Sequence, residues 1–175
     1  MKRFELVVAL LLVSTAMLFA DSAAGLHWTM PAGWKSEAPR PMRAATYTIS
    51  PAQGDTAGGE CIINYFGPGQ GGSVEANIDR WKSQMLGQDG KPTPANVAKR
   101  SVRGISMTTV DAAGTYTGMG GPMAMSSKPV AGYRLLGAIV EGPQGTLFIK
   151  LTGPAKTVAA NTAKFDQLLA SIARD

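Results

Sequence analysis

The chain predicts an α+β fold, and three features of it carry that expectation. Apolar side chains alternate along several short runs, two other segments repeat them at helical spacing, and most connections are too short for parallel crossovers. The expected order is three strands, a helix, about four strands and a terminal helix, with the strands paired antiparallel.

The chain opens with Lys2 and Arg3, an apolar run from Leu6 to Ala20, and small residues at Ser22, Ala23 and Ala24. A basic start, a short apolar core and a small-residue end are the pattern of an export leader, and the run is short for a membrane span of about 20 residues. Residues 1–24 are therefore expected to be a signal peptide, cleaved after Ala20 or Ala24, with a retained N-terminal membrane anchor as the alternative. Residues 25–175 form one domain, since a chain of this size supports a single ordinary core.

After the leader, His27 to Pro31 reads as a strand closed by Pro31, Gly33 and Trp34. Arg43, Ala45, Tyr47 and Ile49 alternate along the next, which stops at Pro51. In the third, Cys61, Ile63 and Tyr65 point one way and Ile62, Asn64 and Phe66 the other, so a strand apolar on both faces is expected at the sheet's centre. Ser73 is a natural N-cap for a helix carrying Val74, Ile78, Trp81 and Met85, with Glu75 at its positive end. Gly87, Gly90, Pro92 and Pro94 end it in a polar connection.

Val97 to Val110 offers one or two strands broken at Gly104. A Gly/Met-rich loop near 118–131 lacks periodicity and joins two long strands of one hairpin. The return strand holds Tyr133, Leu135 and Ile139; the next holds Leu147, Ile149 and Leu151, with Lys150 on its other face. Pro154 then suits the first position of a last helix whose buried stripe is Phe165, Leu168, Leu169 and Ile172.

Several segments together, Pro31-Ala32-Gly33-Trp34, Met42-Arg43, Asn77-Ile78-Asp79-Arg80-Trp81, Gly114-Thr115-Tyr116, Gly132 to Gly137 and Leu151-Thr152-Gly153-Pro154, resemble a group of exported, uncharacterised bacterial proteins that looks like a branch of the Mog1/PsbP-like fold family. The resemblance implies a curved antiparallel sheet of about six or seven strands flanked by helices. In the family's named members that fold binds a protein partner or assists a photosynthetic complex. It implies no shared catalytic residues, and one fold serves many roles.

Composition narrows the chemistry. A net charge of +5 is spread along the chain, with Lys99, Arg100 and Arg103 the densest group, so no nucleic-acid arm is expected. A single cysteine makes no internal disulfide, and Cys61, alternating with strand neighbours, reads as a small buried hydrophobe. Gly67-Pro68-Gly69-Gln70-Gly71-Gly72 is a literal GxGxxG, but no parallel strand with a ribose-binding acid follows and no Lys-Ser/Thr pair completes a P-loop. It reads as a glycine-rich turn, and no cofactor is expected.

Met119, Met123 and Met125, with Met107 nearby, are soft thioether donors that could hold Cu(I); without His or Cys beside them they read first as loop filler, and no metal is assigned. His27 is the one group that ordinarily titrates near neutrality, and Ser73 the hydroxyl it could in principle activate, yet no nucleophile motif surrounds any serine. Glu75 and Asp79 share a helix face, whereas Glu60, Asp111 and Glu141 fall on or beside different strands. Trp81 belongs to the helical stripe; Trp28 and Trp34 either pack or line a ligand cleft. The expected protein is a non-enzymatic accessory or binding module of the cell envelope, periplasmic or secreted, with an unidentified protein or small-molecule partner. A periplasmic hydrolase using His27 or scattered carboxylates is the alternative.

Overall fold

The computed structural model describes residues 20–118 and 128–175. Its strands are β1 (Ala20–Ala23), β2 (Leu26–Thr29), β3 (Lys35–Ser36), β4 (Arg43–Ile49), β5 (Gly59–Tyr65), β6 (Met85–Leu86), β7 (Asn96–Val102), β8 (Ile105–Tyr116), β9 (Val130–Gly142), β10 (Gly145–Pro154) and β11 (Ala173–Arg174). The helices are α1 (Val74–Ser83), α2 (Ala155–Ala160) and α3 (Thr162–Ser171). Every strand pair is antiparallel. The main sheet has eight strands in the order β3-β4-β5-β10-β9-β8-β6, with β7 also on β8, and a second sheet of three runs β1-β2-β11.

The long strands follow from side-chain alternation. Along β10, Leu147, Ile149 and Leu151 enter one core while Phe148 enters the other, so the sheet is covered on both faces. One face packs on α2, α3 and the small sheet, with Trp28, Trp34, Tyr47 and Phe165 in its core; the other packs on α1 through Trp81. As expected, β5 is interior, between β4 and β10. Val97 to Val110 resolves into two strands, because Arg103 and Gly104 both take positive φ and make a two-residue reversal between Val102 and Ile105. Among the described residues, no helix is long and apolar enough to cross a membrane.

Three expectations are corrected. The last helix does not begin at Pro154: β10 runs through that residue, and the helical segment breaks at Asn161. Asn161 is buried there, accepting from Trp34 Nε1 at 2.9 Å and donating to the Thr157 carbonyl at 2.9 Å, so a tertiary contact divides a segment whose apolar stripe is continuous. His27 lies in the small sheet, because β2 pairs with β1 and β11 and not with β4. The main sheet has eight strands where six or seven were expected, since β3 and β6 are two residues each and too short to show a period.

Residues 1–19 of the expected leader lie outside the described residues. Its last residues are part of the fold: Ala20–Ala23 pair with Leu26–Thr29 across a tight turn at Ala24 and Gly25, both at positive φ. Asp21 Oδ2 accepts the hydroxyl proton of Tyr47, which itself accepts from Trp28 Nε1 at 2.8 Å.

Candidate functional site

The α1-side face of the main sheet is apolar where α1 crosses it and polar beside that crossing. Trp81 holds the helix down; a Cβ at Gly137 would meet its ring at 2.4 Å, so only glycine lets the indole lie flat on β9. Ser73 caps α1 by accepting from Ala76 N, and buried Asn77 ties the helix to the preceding loop by donating to the Gly71 and Ser73 carbonyls. At the other end of α1 stands Gln84, buried, with Oε1 directed at Lys150.

Lys150 is the centre of this polar region. It is paired with Gly137 on β9 and Ile62 on β5, and only 8 % of it is exposed. Its Nζ donates to Gln84 Oε1 at 3.1 Å and stands 5.8 Å from the centroid of the Tyr116 ring, within cation–π range. Tyr116 stacks on Tyr133 with centroids 5.9 Å apart and planes 3° from parallel. Burial brings the Lys150 ammonium down to about 8, Arg80 and Arg43 push the same way, and Glu60 opposes them. Burial, then the Glu60 charge, raises the Tyr116 phenol.

Two more cations act on the charge of the lysine. A register shift between Arg43 and Ala45 in β4 accompanies contacts from Arg43 Nη1 to Glu60 Oε1 at 3.3 Å and to Thr46 Oγ1 at 3.4 Å. Arg80 Nη2 donates to Asn77 Oδ1. Asn64 Oδ1 is buried and, among the described residues, has no hydrogen-bond partner. Arg80, Arg43 and Glu60 thus all act on the charge of Lys150.

A concavity of about 180 Å³ lies on the opposite face, between α3 and the β7–β8–β9 end of the sheet. Its charges are internally matched: Arg100 Nη2 meets Asp166 Oδ1 at 2.9 Å, and Arg134 forks onto Asp111 at 2.9 and 2.7 Å, a hydrogen-bonded pair that raises the guanidinium's pKa. It is small beside ligand pockets of about 300 Å³ and upward.

The residues singled out in the sequence do not converge. His27 Nδ1 meets Asp175 Oδ1 at 3.1 Å on the exposed small sheet, and among the described residues no hydroxyl bonds to it. Ser73 is spent on its cap. Glu60 and Asp111 are taken by arginines, Asp79 lies 3.8 Å from Lys82, and Glu75 and Glu141 are exposed. Trp28 and Trp34 are both buried with their indole N–H groups bonded inside the core, so packing accounts for them. Met107 is a core residue; Met119, Met123 and Met125 lie outside the described residues. Gly71 lies against Phe148, whose ring a Cβ would meet at 2.4 Å, and the Gly67 carbonyl accepts from Gln70 N, so the glycine run is a turn packed on the sheet.

Cys61 is fully buried, and burial, aided by the Glu60 charge, pushes its thiol up. A thiol reagent at neutral pH is expected to leave Cys61 unmodified in the native protein and to label it stoichiometrically in denaturant, as mass spectrometry would read. Labelling of the native protein within minutes would contradict its placement.

Gln84, Arg43, Arg80, Tyr116 and Tyr133 are far apart in sequence and carry no shared local pattern. One signal was present, Lys150 standing alone on the other face of an apolar strand.

No family model and no curated protein sequence matches the chain. Among solved structures it is similar to the solution structure of cyanobacterial PsbP (CyanoP) from Synechocystis sp. PCC 6803, at a TM-score of 0.54 and 11% identity over 90% of this chain and 91% of that one. It is also similar to PA94, a Pseudomonas aeruginosa protein of unknown function, at a TM-score of 0.50 and 11% identity over 90% of this chain and 96% of that one. At such identity the likeness concerns architecture: the chain has an α+β fold of the PsbP-like kind, as its segments suggested.

Proposed function

We propose that this protein is a non-enzymatic accessory or binding module of the cell envelope, exported by its leader and released by cleavage after Ala20. The observation that carries the binding part is the face around Lys150, where cations and aromatic rings gather and, among the described residues, no hydrogen-bonded nucleophile and base pair is found. The fold shared with a cyanobacterial PsbP and with a protein of unknown function is compatible with an accessory role. Export rests on the leader pattern of residues 1–24.

Fractionation of cells, followed by intact-mass measurement, tests the address: the expected product lies outside the cytoplasm and begins at Asp21. A chain retaining Met1 to Ala20 in the cytosol would refute it. For the binding role, cross-linking in envelope extracts is expected to give one reproducible adduct that a Lys150→Gln variant weakens. Adducts indistinguishable from those of an unrelated exported protein would count against it.

A further inference from the structure

We infer that the face around Lys150 is a binding site for a small oxyanion, a carboxylate or a phosphate, held by Lys150 together with Arg80 and Arg43. This rests on the binding-module reading and supplies the class of ligand.

Lys150 is a nearly buried ammonium whose hydrogen-bonding acceptor is the neutral amide of Gln84. A charge taken out of water is costly unless an opposite charge meets it. The single carboxylate that faces it, Glu60, already bridges Arg43. The groups acting on Lys150 come from every side of the site: Arg80 from α1, Glu60 from β5 and Arg43 from β4, with the Tyr116 ring from β8 and Tyr133 from β9 behind it. The sum is an excess of positive charge. An oxyanion supplies what the face lacks: acceptors for the remaining ammonium protons and a compensating charge in a desolvated setting.

The pH dependence follows with a definite sign. The ammonium binds the anion and the free amine does not, so affinity is fullest below the Lys150 value of about 8 and is lost above it. Complex formation near that pH takes up protons, because the anion favours the charged lysine.

Isothermal titration of the purified chain with sodium phosphate and, separately, with sodium citrate tests this at pH 7 and pH 9.5. Saturable binding of one or both is expected at pH 7, with affinity about thirtyfold weaker at pH 9.5, where about one lysine in thirty keeps its charge, and at least about tenfold weaker in Lys150→Gln, which keeps a donor for Gln84 but not the charge. Glu60→Gln removes the competing carboxylate and is expected to tighten binding by about threefold to tenfold. Lys150→Met, as a second uncharged variant, covers a misfolded Lys150→Gln. Phosphate alone binding assigns a phosphoryl ligand; citrate alone assigns a carboxylate; either supports the site. No saturable binding at pH 7, or binding that Lys150→Gln and Glu60→Gln leave unchanged, overturns it. If the anions fail while the cross-linked adduct persists, the oxyanion site falls and the binding module stands; if both fail, both fall.

Discussion

Trp81→Ala is expected to lower the free energy of unfolding by about 3–5 kcal/mol, a large fraction of the stability of an ordinary domain. Trp81 is 4 % exposed and is the large apolar side chain that α1 buries. Its ring rests on the bare backbone of Gly137, a position whose only purpose in packing terms is to admit an indole. Alanine would leave a cavity floored by glycine and bordered by Leu135 and Ile139 of β9. The loss spreads toward Lys150, because Gln84 is carried by the end of the same helix. Urea denaturation followed by far-UV circular dichroism measures the cost, and the remaining Trp28 and Trp34 report the other core by fluorescence. The reciprocal change, Gly137→Ala, brings a methyl against the same ring and is expected to cost about 1–3 kcal/mol by overpacking. Losses under about 1 kcal/mol for Trp81→Ala would mean that α1 is not fixed to the sheet through this contact.

The parts of this fold legible in the sequence are those whose pattern is local. The two-sided apolar run of β5 placed it inside the sheet, and Ser73 with the stripe ending at Trp81 and Met85 located α1. Hairpin partners such as β9 and β10 announced themselves by length and alternation. What escaped depends on distant residues. The strands β3, β6 and β11 are two residues each and exist through their partners. The break between α2 and α3 is made by Asn161 reaching Trp34, 127 residues away in sequence. The Lys150 face draws Arg43, Glu60, Arg80 and Tyr116 from four elements, so no spacing within one segment could reveal it. Lys150 alone broke an apolar strand pattern, and a lysine in that position is the one local sign that the face does something besides pack.

A chain beginning at Asp21 is expected to be as stable as the full chain, whereas one beginning at Gly25 is expected to lose at least about 2 kcal/mol. Both start points obey the small-residue rule for leader cleavage, so the sequence leaves them equivalent; packing does not. Tyr47 is fully buried and its pKa is raised, first by burial and then by its hydrogen bond to Asp21. Starting at Gly25 strands that hydroxyl without an acceptor inside the core, and an unmet buried polar group costs about 1–3 kcal/mol. It also removes the β1 ladder and the buried Ala24, whose carbonyl accepts from Gln144 N at 3.1 Å and so ties the β9–β10 turn to the small sheet. Asp21→Ala separates the two contributions, since it removes the acceptor for Tyr47 while the ladder is untouched; its loss should equal the hydrogen-bond share of the Gly25 deficit. Thermal melts of the three forms decide it. Equal melting of the Asp21 and Gly25 forms would show that β1 adds nothing, and Ala24 would then be as good a cleavage site as Ala20. A deficit confined to the Gly25 form would show that Asp21 to Ala24 belong to the folded domain, because a chain starting after them has an incomplete core.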